Sequence, residues 1–239
     1  MKAIISYIYS SNIEVIGKSG VLLWLFNRAL LAAIFGLGIG MIFNPLGDFA
    51  ESILYTGTSY VSWQAIRDCA VDINTQMRTN GEKWIAWYGL KCSLLGIFVD
   101  RNIILTALFI LSFFITEAHP ITALSWFTTV LLAQFFLFFT GFILNQTNRE
   151  LFSFFQICFR FGFFVTPILW LPDGSGSFKD IVSKLNPLSN IFLMNPYGSI
   201  TENTNPILWL ALLVLLAFCI SIYNSRLFQR VVLEKILND

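Results

Sequence analysis

Long apolar runs separated by short polar breaks dominate this chain. Six runs approach the roughly 20 residues that a helix needs to cross a bilayer: 22–43, 49–70, 102–117, 121–144, 151–171 and 206–223. Ahead of them, residues 1–19 place Ile4, Ile5, Ile8, Tyr9, Val15 and Ile16 on one arc at 100° per residue, with Lys2, Ser6, Ser10, Glu14 and Lys18 opposite. That is the pattern of an amphipathic helix lying in the membrane interface. The chain is therefore expected to be an all-α polytopic membrane protein, a single transmembrane domain of six helices.

The runs differ in character. In the first, Ala32, Gly36 and Gly40 recur every four residues, a ridge that lets another helix approach closely. The second carries Tyr55, Thr56, Thr58, Ser59, Tyr60, Ser62, Trp63 and Gln64, too many polar groups to face lipid all round. The third is the shortest, with an interfacial extension back through Leu94 to Val99. Between the second and third, residues 71–91 hold Asp72, Arg78, Glu82 and Lys83 near Trp84 and Trp87, which reads as a cytoplasmic loop. Glu117-Ala118-His119-Pro120 predicts a tight outer turn, and residues 145–150 a short polar connector. Residues 172–205, broken by Pro172, Pro187 and Pro196, cannot span but are apolar enough to dip into the membrane as an outer re-entrant region.

With both termini inside, thirteen of the fifteen basic residues fall on the cytoplasmic side and only Lys179 and Lys184 lie outside, the bias that sets orientation in membranes. Lys2 leads into an apolar stretch that Ser10-Ser11-Asn12 interrupts, and no small-residue cleavage site follows, so no removable signal is expected.

Composition narrows the chemistry. Charged residues make up 12% and hydrophobic ones 56% of the chain; soluble domains carry about 25% charge, so a solvated globule is excluded. A net charge of +1 creates no field to attract nucleic acid. The four cysteines, Cys69, Cys92, Cys158 and Cys219, form no C-x-x-C pair, and no disulfide framework is expected. His119 is the only histidine, which leaves little for a His-based metal site or a buried triad. Gly17-Lys18-Ser19 resembles the end of a phosphate loop, but Asn12 stands where its first glycine belongs. No catalytic set and no nucleotide or metal site is expected on this chain, which then has no energy source of its own.

Two groups of residues are candidates for a translocation pathway. Arg160 lies about 15 Å along the fifth run at 1.5 Å per residue, with Gln156 one turn before it on the same face. An arginine at that depth is expensive and functional; the alternative is a helix that starts lower, with Arg160 snorkelling to the interface. Tyr55, Tyr60 and Trp63 either anchor the second helix at the interface or face a route for sugars, whose ring faces stack on aromatics.

The interface helix, six runs, charged loop and broken outer segment together resemble the membrane subunit of ABC-2 type exporters, most closely the permeases that export O-antigen and capsular polysaccharides. The resemblance is carried by Asn148-Arg149-Glu150 before the fifth run, by Thr166-Pro167-Ile168-Leu169, and by Leu185-Asn186-Pro187-Leu188-Ser189-Asn190-Ile191-Phe192 in the outer region. The chain departs from the family in having Leu193-Met194-Asn195-Pro196 where an arginine is usual, and in lacking a proline in residues 71–91.

The resemblance implies a homodimer in the bacterial inner membrane, with two copies of a separate cytoplasmic ATPase that bind ATP and magnesium. Asp72, Arg78, Glu82, Lys83, Arg149 and Glu150, with residues 1–19, would form the surface that couples to it. Pro167, Asn186 and Pro187 would shape the re-entrant region, and the cargo would be a lipid-linked glycan. The residues by themselves leave open a transporter subunit, a channel or a membrane scaffold. Within the family a lipid, peptide or small hydrophobic product is the alternative cargo, and a membrane enzyme or scaffold the alternative outside it.

Overall fold

A computed structural model describes residues 20–43, 46, 48–72, 74–75, 90–115, 120–168, 170–171, 176–186 and 188–197. The expected interface helix at 1–19, Arg78, Glu82 and Lys83 of the charged loop, Pro187 and the run at 206–223 lie outside the described residues. Every described element is a helix: α1 (Gly20–Phe43), α2 (Phe49–Arg67) continuing into a π-helical turn (Asp68–Asp72), α3 (Leu90–Ile115), α4 (Pro120–Thr147), α5 (Arg149–Gly162) ending in a 3-10 turn (Phe163–Val165), α6 (Phe178–Leu185) and α7 (Ser189–Leu193).

α2 is the buried centre. Asp48 caps it by accepting from the Glu51 amide at 3.0 Å, and from Tyr55 to Val71 nearly every side chain is buried, hydroxyls included. α1 packs along α2 through its glycines. A Cβ on Gly36 would stand 2.9 Å from the Ile53 carbonyl oxygen, and one on Gly40 2.9 Å from the Ile53 Cα, so only hydrogen fits at these crossings. α4 approaches the far end of α2 in the same way: a Cβ on Gly141 would fall on the Ala70 carbonyl oxygen.

The exterior inverts the interior. Phe26, Ile34, Ile42, Phe114, Ile121, Phe154 and Phe161 all point outward and are more than half exposed, while Ser52, Thr56, Ser59, Ser62, Asn102, Thr129 and Gln134 are buried. Water penalises so large an apolar surface; hydrocarbon does not. Among the described residues one helical stretch, Pro120–Asn145, is long and apolar enough to cross a membrane. Pro120 opens it at a first-turn position, where a missing N–H is harmless.

Two expected boundaries are corrected. α3 begins at Leu90 rather than near 102, so the stretch from Leu94 to Val99 is one helix with the apolar run. The fifth run is not a continuous helix to 171: α5 stops at Gly162 after 14 residues, about 21 Å, short of the roughly 30 Å hydrocarbon core. Pro167 explains the break, because it disfavours helical geometry in the residue before it; Thr166 accordingly sits extended, at φ −103° and ψ 142°.

Candidate functional site

The chain beyond α5 folds back onto α2, and two Asn-Pro pairs fasten it. The Asn186 side chain donates to the Val165 carbonyl at 3.2 Å and to Thr166 Oγ1 at 3.0 Å, while its Oδ1 accepts from the Leu188 amide at 3.0 Å. Asn195 repeats the design deeper in the molecule: Nδ2 donates to the Tyr55 carbonyl at 3.2 Å and to Ser59 Oγ at 2.8 Å, and Oδ1 accepts from the Tyr197 amide at 3.1 Å. In each case the amide oxygen accepts from the backbone amide two residues on and the amide nitrogen reaches another element. Tyr55 closes the clamp by donating from its hydroxyl to the Pro167 carbonyl at 2.5 Å. Tyr197 extends it to α3, donating to the Leu108 carbonyl at 3.0 Å; burial pushes its phenol above the usual tyrosine range.

Aromatic packing fills the space behind. Trp63 lies against Phe159, Phe163 and Phe192, with ring centres 5.8 to 6.4 Å apart, and it fits because residue 162 is glycine: a Cβ there would stand 2.8 Å from the indole edge. Tyr60 stacks on Phe35 at 3.8 Å and accepts from Gln64 Nε2 at 2.7 Å. Of the three aromatics expected on a pathway, Tyr55 and Trp63 are therefore enclosed, between α5 and the chain that follows it, whereas Tyr60 lines a cavity of about 330 Å³.

At the opposite end of α2 a chain of buried amides joins the helices. Asn102 on α3 and Gln134 on α4 exchange hydrogen bonds at 2.8 and 2.9 Å, and Cys69 donates to Gln134 Oε1 at 3.6 Å. Asn74 donates to the carbonyls of Ala70 and Phe138 at 3.0 and 3.1 Å. Asn145 then donates to the Asn74 carbonyl at 3.1 Å, and Gln156 to Thr75 Oγ1 at 3.1 Å. Residues 74–75, leading into the charged loop, are thus tied to the α4–α5 connector. The expected connector 145–150 reduces to Asn148, which caps α5 by accepting from the amides of Glu150 and Leu151 at 3.0 and 3.1 Å, and Arg149 and Glu150 stand exposed in the first turn of α5. Asp72 is half-buried beside Arg67, at 3.6 Å.

Gln156 and Arg160 differ in their surroundings. Phe152, Phe155 and Phe159 set the inner face of α5, which turns Gln156 toward Thr75 and leaves Arg160 exposed in the last turn. The sequence assigns no role to Asn102, Gln134, Asn74 or Asn145, and marks Asn195 only as a departure from the family pattern, although an amide inside an apolar run is a readable sign of a buried helix contact. Among the described residues no group of His, Cys, Asp and Glu is arranged to hold a metal ion. No protein-family model matches the chain, and no curated protein matches it significantly.

Proposed function

We propose that this chain is the membrane subunit of an ATP-driven exporter of the ABC-2 type, moving a lipid-linked polysaccharide out of the cytoplasm. In this reading it crosses the bacterial inner membrane six times with both termini inside, pairs with a second copy, and is driven by two copies of a separate ATPase. The observation that carries the reading is the fold-back after Thr166-Pro167: two short helices follow, Asn186 ties the end of the first to Thr166, and Pro167 and Asn195 on either side of them bond to α2, in the region where the sequence resembles polysaccharide permeases.

The other end supports the coupling role. Because Asn145 and Gln156 bind residues 74–75, a push on the loop following Asp72 reaches the base of α4 and α5 directly. Arg149 and Glu150 sit beside that junction, within reach of a partner. The cargo class rests on the likeness to polysaccharide permeases. Deleting the gene in its native host tests it: lipid-linked glycan should accumulate inside the cell and disappear from the surface. Normal surface glycan with a trapped lipid or peptide instead would assign the cargo to that class.

A further inference from the structure

Arg160 stands exposed in the last turn of α5, and among the described residues it makes no ion pair and no hydrogen bond. Ser153, Gln156 and Arg160 recur at i, i+3 and i+7, a polar seam along one side of the helix. The inward phenylalanines of α5 flank the seam on one side; Phe154, Ile157 and Phe161 flank it on the other and are exposed.

Two measures place Arg160 at mid-depth in the exporter reading above, on which this inference rests. Asn148 caps α5, so the helix does not begin lower, and the eleven residues from Arg149 raise Arg160 about 16 Å from the cytoplasmic end. From the opposite side, Phe163 packs against Tyr60 with ring centres 6.2 Å apart. Tyr60 lies eleven residues into α2 from its outer end, again about 16 Å. Each is close to half of the roughly 30 Å hydrocarbon core.

The chain offers no acid at that level. No Asp or Glu occurs in 20–43, 52–67, 101–116, 118–147 or 151–172, and Asp100 shares a cavity with Asp68 and Asp72 at the inner end of α2. A second copy inserts in the same direction, so the axis relating the two runs along the membrane normal and equal residues keep equal depth. It brings no carboxylate to Arg160 either. A guanidinium at mid-depth is expensive unless water or an anion meets it, and its parallel N–H donors match phosphate.

We propose that Arg160 recognises the cargo by its phosphate. The guanidinium takes the phosphate or diphosphate that joins the glycan to its lipid carrier, while the carrier's hydrocarbon lies along Phe154, Ile157 and Phe161. The test offers the purified full-length chain, in detergent, farnesyl diphosphate, farnesol, inorganic diphosphate and dioleoyl-phosphatidylglycerol, with binding read by native mass spectrometry. Farnesyl diphosphate should bind about tenfold more tightly than farnesol, the scale of one hydrogen bond to a charged group. Arg160→Gln should remove that difference and leave farnesol binding as it was, and Arg160→Lys, which keeps the charge, should retain part of it. In the native host Arg160→Gln should trap lipid-linked glycan inside the cell while the chain reaches the membrane in normal amount.

Equal binding of farnesyl diphosphate and farnesol, or an unchanged difference in Arg160→Gln, overturns the proposal. Inorganic diphosphate binding as tightly as the farnesyl form would make the ligand a free anion, and phosphatidylglycerol displacing the farnesyl form at equal concentration would make it a resident phospholipid; either overturns the assignment to cargo. Surface glycan untouched by deletion of the gene overturns the exporter reading itself. Export lost on deletion but normal in Arg160→Gln overturns only the role of Arg160.

Discussion

The hydroxyl of Tyr55, in the middle of α2, donates to the carbonyl of Pro167, 112 residues further along. Tyr55 is fully buried, so the bond is made away from competing water. It ties the buried central helix to the start of the segment we read as the outer gate. Tyr55→Phe removes the donor and strands the Pro167 carbonyl, a loss of about 1–3 kcal/mol. Thermal unfolding in detergent should register a lower midpoint, and limited proteolysis should cut more readily within residues 166–197. An unchanged proteolysis pattern would mean the segment is held elsewhere.

Asn195 should matter more than Asn186, because its amide reaches two buried groups on α2 whereas the Asn186 amide is partly exposed. Asn195→Ala should destabilise by about 2–3 kcal/mol, and Asn186→Ala by about 1 kcal/mol. Equal effects on the unfolding midpoint would contradict the deeper placement of the second pair.

The asymmetry between two glycines tests the helix crossings. Gly141→Ala forces a methyl onto the Ala70 carbonyl, an overpacking that costs about 1–3 kcal/mol. A methyl on Gly38 meets nothing within 4 Å, and Gly38→Ala should stabilise α1 by about 0.5–1 kcal/mol through backbone entropy. Expression level and melting midpoint of the two variants should move in opposite directions.

Asn102 and Gln134 are a reciprocal pair in the interior, so removing one should be worse than removing both. Gln134→Leu strands the buried Asn102 Oδ1, whose Nδ2 keeps the Phe98 carbonyl at 2.8 Å, while Asn102→Leu/Gln134→Leu removes both halves of the pair. A double-mutant cycle should return a coupling of about 0.6–1.7 kcal/mol, the range found inside membrane bundles.

Tyr197 predicts a pH dependence. Burial raises its folded pKa above the unfolded value of about 10, so the neutral phenol is the form the fold prefers. Its contribution is fully present below about pH 10 and is lost as pH rises through the folded pKa. Stability measured from pH 8 to 11 should fall at the alkaline end, and less steeply in Tyr197→Phe.

How far the sequence reached depends on which force decided each element. Binary pattern was enough for the all-helical character, for the glycine ridge of α1 and for the burial of α2, whose hydroxyls and amides left it no stable place against lipid. The fifth run misled because hydrophobicity alone does not mark a helix end: Phe163, Phe164 and Val165 are as apolar as the helix before them, and only the geometry imposed by Pro167 stops it. Asn186 stood out because of its neighbour Pro187. Asn195 likewise precedes a proline, Pro196, but in the sequence it marks only a departure from the family pattern, although it holds the deeper clamp. Arg160 is a lone charge in an apolar run; its side of α5 is set by where Phe155 and Phe159 find partners, which no local pattern encodes.

The central claim is that this chain works as the membrane half of an ATP-driven exporter, and affinity purification of the full-length chain from its native host in mild detergent tests it most directly. A separate ATPase should copurify in equal amount, and it should be lost when Arg149 and Glu150 are charge-reversed while the membrane chain itself is recovered normally. A chain that purifies without any ATPase from membranes where it is abundant and folded would contradict the account and favour a membrane enzyme or scaffold.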